Sequence, residues 1–269
     1  MTDVERGAAL LLPDAAAIDV GAALATYREH GYARLGRVVT DDGLELLRAR
    51  ADDVMMGRVV HEGLFFQKDT ESGSYDDLTF GRGYEGPSLD YRKVEKLERD
   101  PLFLAWIENA LFERVARAHV GGEVAIYRAV LFNKPASGGT RLPWHQDAGV
   151  FWGLDRDPSL QIWTALDDAP REAGCVELVP GTHGARATHL GGMVPVDVAA
   201  KADAEARAIA LPARAGEAIL VHNYLWHRSG LNTTGRARRA FTVCYMSAET
   251  RCTRKRRAPR SFVRVFAAR

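Results

Sequence analysis

The sequence predicts an α+β chain that is mainly β: a barrel or jelly roll buttressed by a helical N-terminal part. Three observations carry this. Up to residue 120, apolar positions recur at three-to-four spacing behind capping residues. From residue 123 onward, short β-branched and aromatic runs follow one another. Gly, Pro, Asn and Asp punctuate those runs with no helices between them. Strands at that density close into a barrel or pack as a double sheet. With 46% apolar and 26% charged residues in a chain of 269, a sizeable core within one domain is expected.

Taken in order, residues 21–30 form a short amphipathic helix and residues 32–35 an extended segment. Asp42 is placed to cap a helix over 43–54, with Glu45 at the capping-box position and Leu44, Leu46, Leu47 and Val54 on its apolar face. Asp100 and Pro101 start a second helix, which the spacing carries from 102 to 120. Between them, residues 63–90 are rich in Gly, Ser, Asp and aromatic side chains without a steady period. A loop of that length in a compact domain reads as a functional cover. Strands follow at 124–132, 160–166, 175–179, 208–211, 218–221 and 241–246. The single domain over 1–269 thus divides into a helical buttress with a substrate-covering loop (about 1–120), a jelly-roll core (about 121–250) and a basic tail (251–269).

Charge narrows the partners. Basic and acidic residues number 36 and 35, for a net charge of +1. No global field then draws the chain to nucleic acid or an anionic membrane, and a small-molecule substrate is the expected partner. Arg251, Arg254, Lys255, Arg256, Arg257 and Arg260 crowd the tail, a run that reads as solvated. Cys175, Cys244 and Cys252 make no CxxC pair. With no leader at Met1 and no bilayer-length apolar run, the expected location is the cytoplasm. Cys175 and Cys244 sit inside apolar runs and are expected to be buried.

The first chemical signal is Trp144-His145-Gln146-Asp147. Residues two apart on an extended segment share a face, so His145 and Asp147 can converge on one point. His227, eighty residues further on, supplies a second imidazole. Two His and one carboxylate make a facial triad, which occupies one side of iron(II) and leaves three positions open. His222 is a rival to His227; in a regular strand the two face opposite ways, and the Ser-Gly-Leu-Asn turn after His227 favours it. His222 and His183 read as structural, and His30, His61, His119 and His189 have no supporting context. A third signal is Arg236, Arg238 and Arg239 at the start of a strand. A dicarboxylate that chelates iron at one end needs its far carboxylate neutralised, and a guanidinium fork suits it. Arg238 and Arg239 cannot both face inward, and Arg236 follows a turn.

These residues resemble the phytanoyl-CoA dioxygenase family of iron(II)/2-oxoglutarate oxygenases. The likeness rests on Asn133-Lys134-Pro135, the His145–Asp147 motif, Trp163-Thr164-Ala165-Leu166, Pro180-Gly181-Thr182-His183, and His227-x-Ser229-Gly230-x-Asn232 with Arg238 eleven beyond the histidine. The resemblance implies a double-stranded β-helix of cupin-like type, with iron(II) on His145, Asp147 and His227. It implies 2-oxoglutarate contacts from Trp163, Ser229 and Arg238, a further one from Lys93, and Gln146 either at the co-substrate or behind it. O₂ is the second co-substrate, and the implied reaction is oxidative decarboxylation to succinate and CO₂ coupled to hydroxylation of a substrate C–H. Related halogenases replace the carboxylate with Ala or Gly, so Asp147 argues for hydroxylation. Phe65, Phe66, Tyr75, Phe80, Tyr84, Tyr91, Phe151 and Trp152 either line a substrate pocket or pack the barrel. Two other classes share the architecture: a cupin-like metal-dependent isomerase or hydrolase, and a non-catalytic ligand-binding jelly roll. The Ser229 and Arg238 positions speak against the first, and the complete triad against the second.

Overall fold

The computed structural model describes residues 10–80, 82–136, 138–186, 192–255 and 260–267; His189, Arg256 and Arg257 lie outside these. In chain order the helices are α1 (Val20–His30), α2 (Asp41–Met55), α3 (Pro101–Ile107), α4 (Ala110–Val120), α5 (Val196–Lys201) and α6 (Ala204–Arg207). The strands are β1 (Tyr32–Arg37), β2 (Phe65–Lys68), β3 (Tyr91–Glu95), β4 (Val124–Lys134), β5 (Leu142–His145), β6 (Leu160–Ala165), β7 (Val176–Leu178), β8 (Ile209–Leu211), β9 (Glu217–Val221), β10 (His227–Ser229), β11 (Arg238–Ser247) and β12 (Arg264–Phe266). An eight-stranded sheet runs β1-β9-β6-β11-β4-β3-β2 with β12 added against β4, and a four-stranded sheet runs β5-β10-β7-β8. The double sheet, with α1–α4 packed on the large sheet and α5 and α6 beside Trp144 of the small one, is the expected jelly roll.

The large sheet has two chemically distinct faces, set by the two-residue period of its strands. On β11, Phe241, Val243 and Tyr245 pack into one apolar core with Leu47 and Val54 of α2, Phe103 and Trp106 of α3, and Phe112 of α4. The alternate residues Arg238 and Thr242 turn the other way and line a cavity. On β6, Leu160 and Ile162 join the helices, while Gln161 and Trp163 face the cavity. Full burial of each large apolar side chain contributes about 1.5–3 kcal/mol, so the helix-facing side is where most of the fold's stability resides.

Several elements differ from the sequence reading. Helix α2 is capped by Thr40, whose hydroxyl accepts from the Gly43 amide at 2.9 Å, so Asp42 sits inside the first turn. The helix expected over 102–120 is two. Asn109 accepts from the Phe112 amide at 3.0 Å and caps a fresh start; an asparagine offering its own carbonyl competes with helix continuation. Asp100 caps α3 as expected, accepting from Leu102 and Phe103. The covering loop is shorter than its composition implied, because Phe65–Lys68 pairs with β3. The tail is not simply solvated: β12 pairs with β4, and Arg260 lies over the Tyr127 ring, 4.7 Å from its centroid. Cys175 and Cys244 are buried, as expected of them. Among the described residues no helix is long and apolar enough to cross a membrane.

Candidate active site

Antiparallel pairing of β5 with β10 puts His145 directly opposite His227, and their ring centroids stand 4.0 Å apart. Asp147 reaches the same place by a different route from the expected one. β5 ends at His145, so strand alternation does not aim the carboxylate. Instead the Asp147 amide donates to the Asn223 carbonyl at 2.8 Å, and Asn223 Nδ2 donates back to the Asp147 carbonyl at 2.9 Å. This clamp brings one ligating atom from each of His145, Asp147 and His227 within 4.8 Å of the others. The chain turns between β9 and β10, so His222 and His227 are not on one strand. His222 instead accepts from the Tyr224 amide at 3.0 Å and packs near Tyr27 and His183.

The donors suit a divalent ion. Nδ1 of His145 donates to the Pro143 carbonyl, and Nδ1 of His227 to the Leu225 carbonyl, each at 2.9 Å. A carbonyl only accepts, so each ring keeps its proton on Nδ1 and turns a free Nε2 inward, which is the usual way a ligating imidazole is held. Burial, then the field of His227, pulls the His145 pKa to about 3, leaving it a neutral ligand. Burial alone would raise Asp147. Arg128, the two imidazoles and the Gln161 amide outweigh it and hold the carboxylate well below its usual range. Two neutral nitrogens and one carboxylate on a single side, with no thiolate, match the facial set used for non-haem iron(II).

A cavity of about 250 Å³ opens from this triad and is lined by both sheets. The three arginines separate as strand alternation requires. Arg236 is exposed at the rim. Arg239 turns to the helical side, where Asp167 at 2.7 Å and Asp52 at 2.6 Å neutralise it. Arg238 is 4% exposed and lines the cavity; among the described residues it is bonded only to backbone carbonyls, Gly174 at 2.9 Å and Ala173 at 3.5 Å. With no carboxylate partner, burial pulls its pKa to about 10. Gly174 has φ +67, and a Cβ there would stand 2.5 Å from the Gly230 carbonyl, so only glycine lets this loop reach Arg238.

Trp163, Ser229 and Lys93 also line the cavity. Lys93 is paired with Glu95 at 2.8 Å. Gln146 Nε2 donates to the carbonyls of Tyr224 at 2.6 Å and Ala185 at 2.9 Å, so its amide braces the loops around the triad. The aromatic side chains divide: Tyr75, Phe80, Phe151 and Trp152 line the cavity, whereas Tyr84 stacks on Tyr91 and Phe66 packs edge-on or tilted against both. Arg128, Gln161 and Asn223 were missed by the sequence reading. Each is a polar residue in or just after an apolar strand run, and that interruption is the signal that marks them.

A jelly roll that gathers two imidazoles and a carboxylate beside a buried, unneutralised guanidinium is the architecture of an iron(II)/2-oxoglutarate-dependent oxygenase. The family model of phytanoyl-CoA dioxygenase (PhyH) matches residues 27–240, and the chain belongs to that family. It is 24% identical over 233 residues to peroxisomal phytanoyl-CoA dioxygenase of Rattus norvegicus, covering 83% of this chain and 67% of that protein. It is 29% identical over 258 residues to phytanoyl-CoA dioxygenase domain-containing protein 1 of Danio rerio, covering 83% and 88%. Among solved structures, EctD from S. alaskensis shares the fold with a TM-score of 0.71 at 22% identity, covering 91% of this chain and 82% of that one. The α-ketoglutarate-dependent carbocyclase SnoK from nogalamycin biosynthesis does so with a TM-score of 0.67 at 23% identity, covering 90% and 92%. The chain is therefore an oxygenase that depends on iron(II) and 2-oxoglutarate, with O₂ as the other co-substrate.

Proposed function

We propose that this enzyme hydroxylates an unactivated C–H bond of a small natural-product or amino-acid-like molecule: substrate, O₂ and 2-oxoglutarate give the alcohol, succinate and CO₂. The observation that carries the reading is the pairing of two features in one cavity, the His145–Asp147–His227 cluster and the buried Arg238 that lacks a carboxylate. His145 and His227 offer Nε2 and Asp147 one oxygen to iron(II), which supplies an open coordination face for O₂ and co-substrate. Arg238 and Ser229 take the far carboxylate of 2-oxoglutarate, Trp163 walls it, and Lys93 contacts it from β3. Gln146 holds the loops that present the triad.

Tyr75 and Phe80 of the loop after β2 line the cavity, and that loop serves as the cover over the substrate. The Gly73 carbonyl, which accepts from the Arg141 amide at 2.8 Å, is one tether. Residues 1–269 act as a single domain, with the helices as buttress. Three free cysteines accord with a reducing, cytoplasmic setting. Anaerobic titration tests the assignment. Adding 2-oxoglutarate to the iron(II)-loaded protein is expected to raise a weak visible charge-transfer band, and chelated protein is expected to regain succinate formation with iron(II) but not zinc. Equal restoration by zinc would overturn it. Limited proteolysis tests the cover: cleavage within 69–90 is expected first and is slowed once a substrate is bound.

A further inference from the structure

At β3 the cavity carries a second set of cations. Gln67 pairs with Lys93 and Lys68 with Tyr91, so Arg92 is an extra residue on β3. Such a bulge re-aims side chains, and here Arg92 and Lys93, although adjacent in sequence, both line the cavity together with Arg128.

Their partners differ. Lys93 is neutralised by Glu95 at 2.8 Å. Arg128 lies over the Trp152 ring, 4.9 Å from its centroid, with Nη2 2.9 Å from Asp147 Oδ1. Yet its Nε is buried without a hydrogen-bond acceptor among the described residues. Arg92 donates from Nη1 to the neutral amide oxygen of Gln67 at 2.8 Å and makes no ion pair among the described residues. Burial draws the Arg92 pKa down, against the field of Asp69, whereas the carboxylates facing Arg239 raise it despite burial. Arg92 thus resembles Arg238: a guanidinium held at the cavity wall without a carboxylate of its own. Arg92 is half-buried, and a partly desolvated charge in that condition favours an anion that meets it. With Lys93 met by Glu95, one dicarboxylate with an end at the triad and an end at Arg238 leaves Arg92 unmet.

We propose that the molecule this enzyme oxidises carries a carboxylate or phosphate, which binds Arg92 and the Nε donor of Arg128. The inference rests on the oxygenase reading of the cavity. It assigns the substrate class (an organic anion) and the part of the wall that selects it.

The test uses protein loaded anaerobically with iron(II) and 2-oxoglutarate, following the visible band as probes are added. The probes are straight-chain carboxylates from acetate to octanoate, the matching primary amides, and the matching alkyl phosphates. At least one acid or phosphate is expected to perturb the band with about tenfold or greater preference over its amide. The acid and phosphate series decide which anion is read. Arg92→Gln is expected to weaken that anion about tenfold or more, and Arg92→Lys to retain much of its binding, since the charge survives and only the fork is lost. Amides that bind as well as the anions throughout, no response to any anion, or unchanged anion affinity in Arg92→Gln would each overturn the proposal. Failure of the band to form in the wild type would instead overturn the oxygenase assignment. A band that forms in both proteins while the anions do nothing counts against the substrate class alone.

Discussion

The two faces of the eight-stranded sheet come from the same strands and obey opposite rules. On β11, Phe241 lies against Phe103 with ring centroids 4.9 Å apart and no exposed surface. Its neighbour Thr242 is also buried, but its hydroxyl has no partner. The helix-facing side is close-packed, with Trp106 Nε1 and Thr164 Oγ1 buried there without partners. Among the described residues the cavity side also holds polar atoms left unmet: Thr242 Oγ1, Gln161 Oε1 and Arg128 Nε. A fold normally avoids such orphans, because each buried unsatisfied group costs about 1–3 kcal/mol. Those that line the cavity are placed where ligands can supply the missing partners, at a stability cost that apolar packing offsets.

The strongest way to break this contrast is at Asp147. Losing a residue that merely braces a ligand lowers metal affinity or activity about 10–100-fold, so removing the ligand itself in Asp147→Ala should cost more than that. Iron(II) dependence of succinate release checks it, and wild-type behaviour in the variant would remove Asp147 from the metal site. On the opposite face, Phe241→Ala should destabilise the protein by about 3–5 kcal/mol, as deletion of a buried aromatic does. Thr242→Val, one residue along, should be nearly neutral, because it removes a hydroxyl that bonds to nothing. Denaturant unfolding of both variants compares the two faces directly, and similar losses would erase the distinction.

The arginines sharpen it further. Leaving one member of a buried charge pair unmatched costs roughly 2–5 kcal/mol, so at about 1.4 kcal/mol per decade Arg238→Ala should weaken 2-oxoglutarate by roughly thirtyfold or more. Arg239→Ala should lower stability, since it removes the partner of Asp52 and leaves Asp167 to Arg48 alone, yet change the co-substrate requirement far less. Arg236→Ala should do least. The 2-oxoglutarate dependence of succinate release in the three variants decides the order.

The smallest effect is expected at His222, where α1 meets the turn before β10. Burial, followed by the fields of His183 and His119, lowers its pKa to about 4. The unfolded chain, with a histidine near 6.5, therefore takes up the proton first. Stability should fall as pH drops from about 6.5 toward 4. His222→Gln should flatten that limb in melting curves, and an unchanged slope would reassign the titration to another group.

The sequence by itself determined the periodicities, and with them much of the fold and site. The apolar run 241–246 announced a strand, the pattern of His145, Asp147 and His227 announced the cluster that the fold gathers, and strand alternation announced that Arg238 and Arg239 face opposite ways. What is local and periodic is legible, because side-chain direction follows from backbone period alone. The tertiary structure decided what depends on partners far along the chain. Asn109 splits a helix that apolar spacing carries through. β2, β10 and β12 are too short to show a period and exist only through their pairing. Asp147 is aimed by Asn223, seventy-six residues away, rather than by its own strand. Arg128, Arg92 and Arg239 are alike in sequence; whether each meets a carboxylate, an amide or a cavity is settled only when the sheet, its bulge and the helices come together.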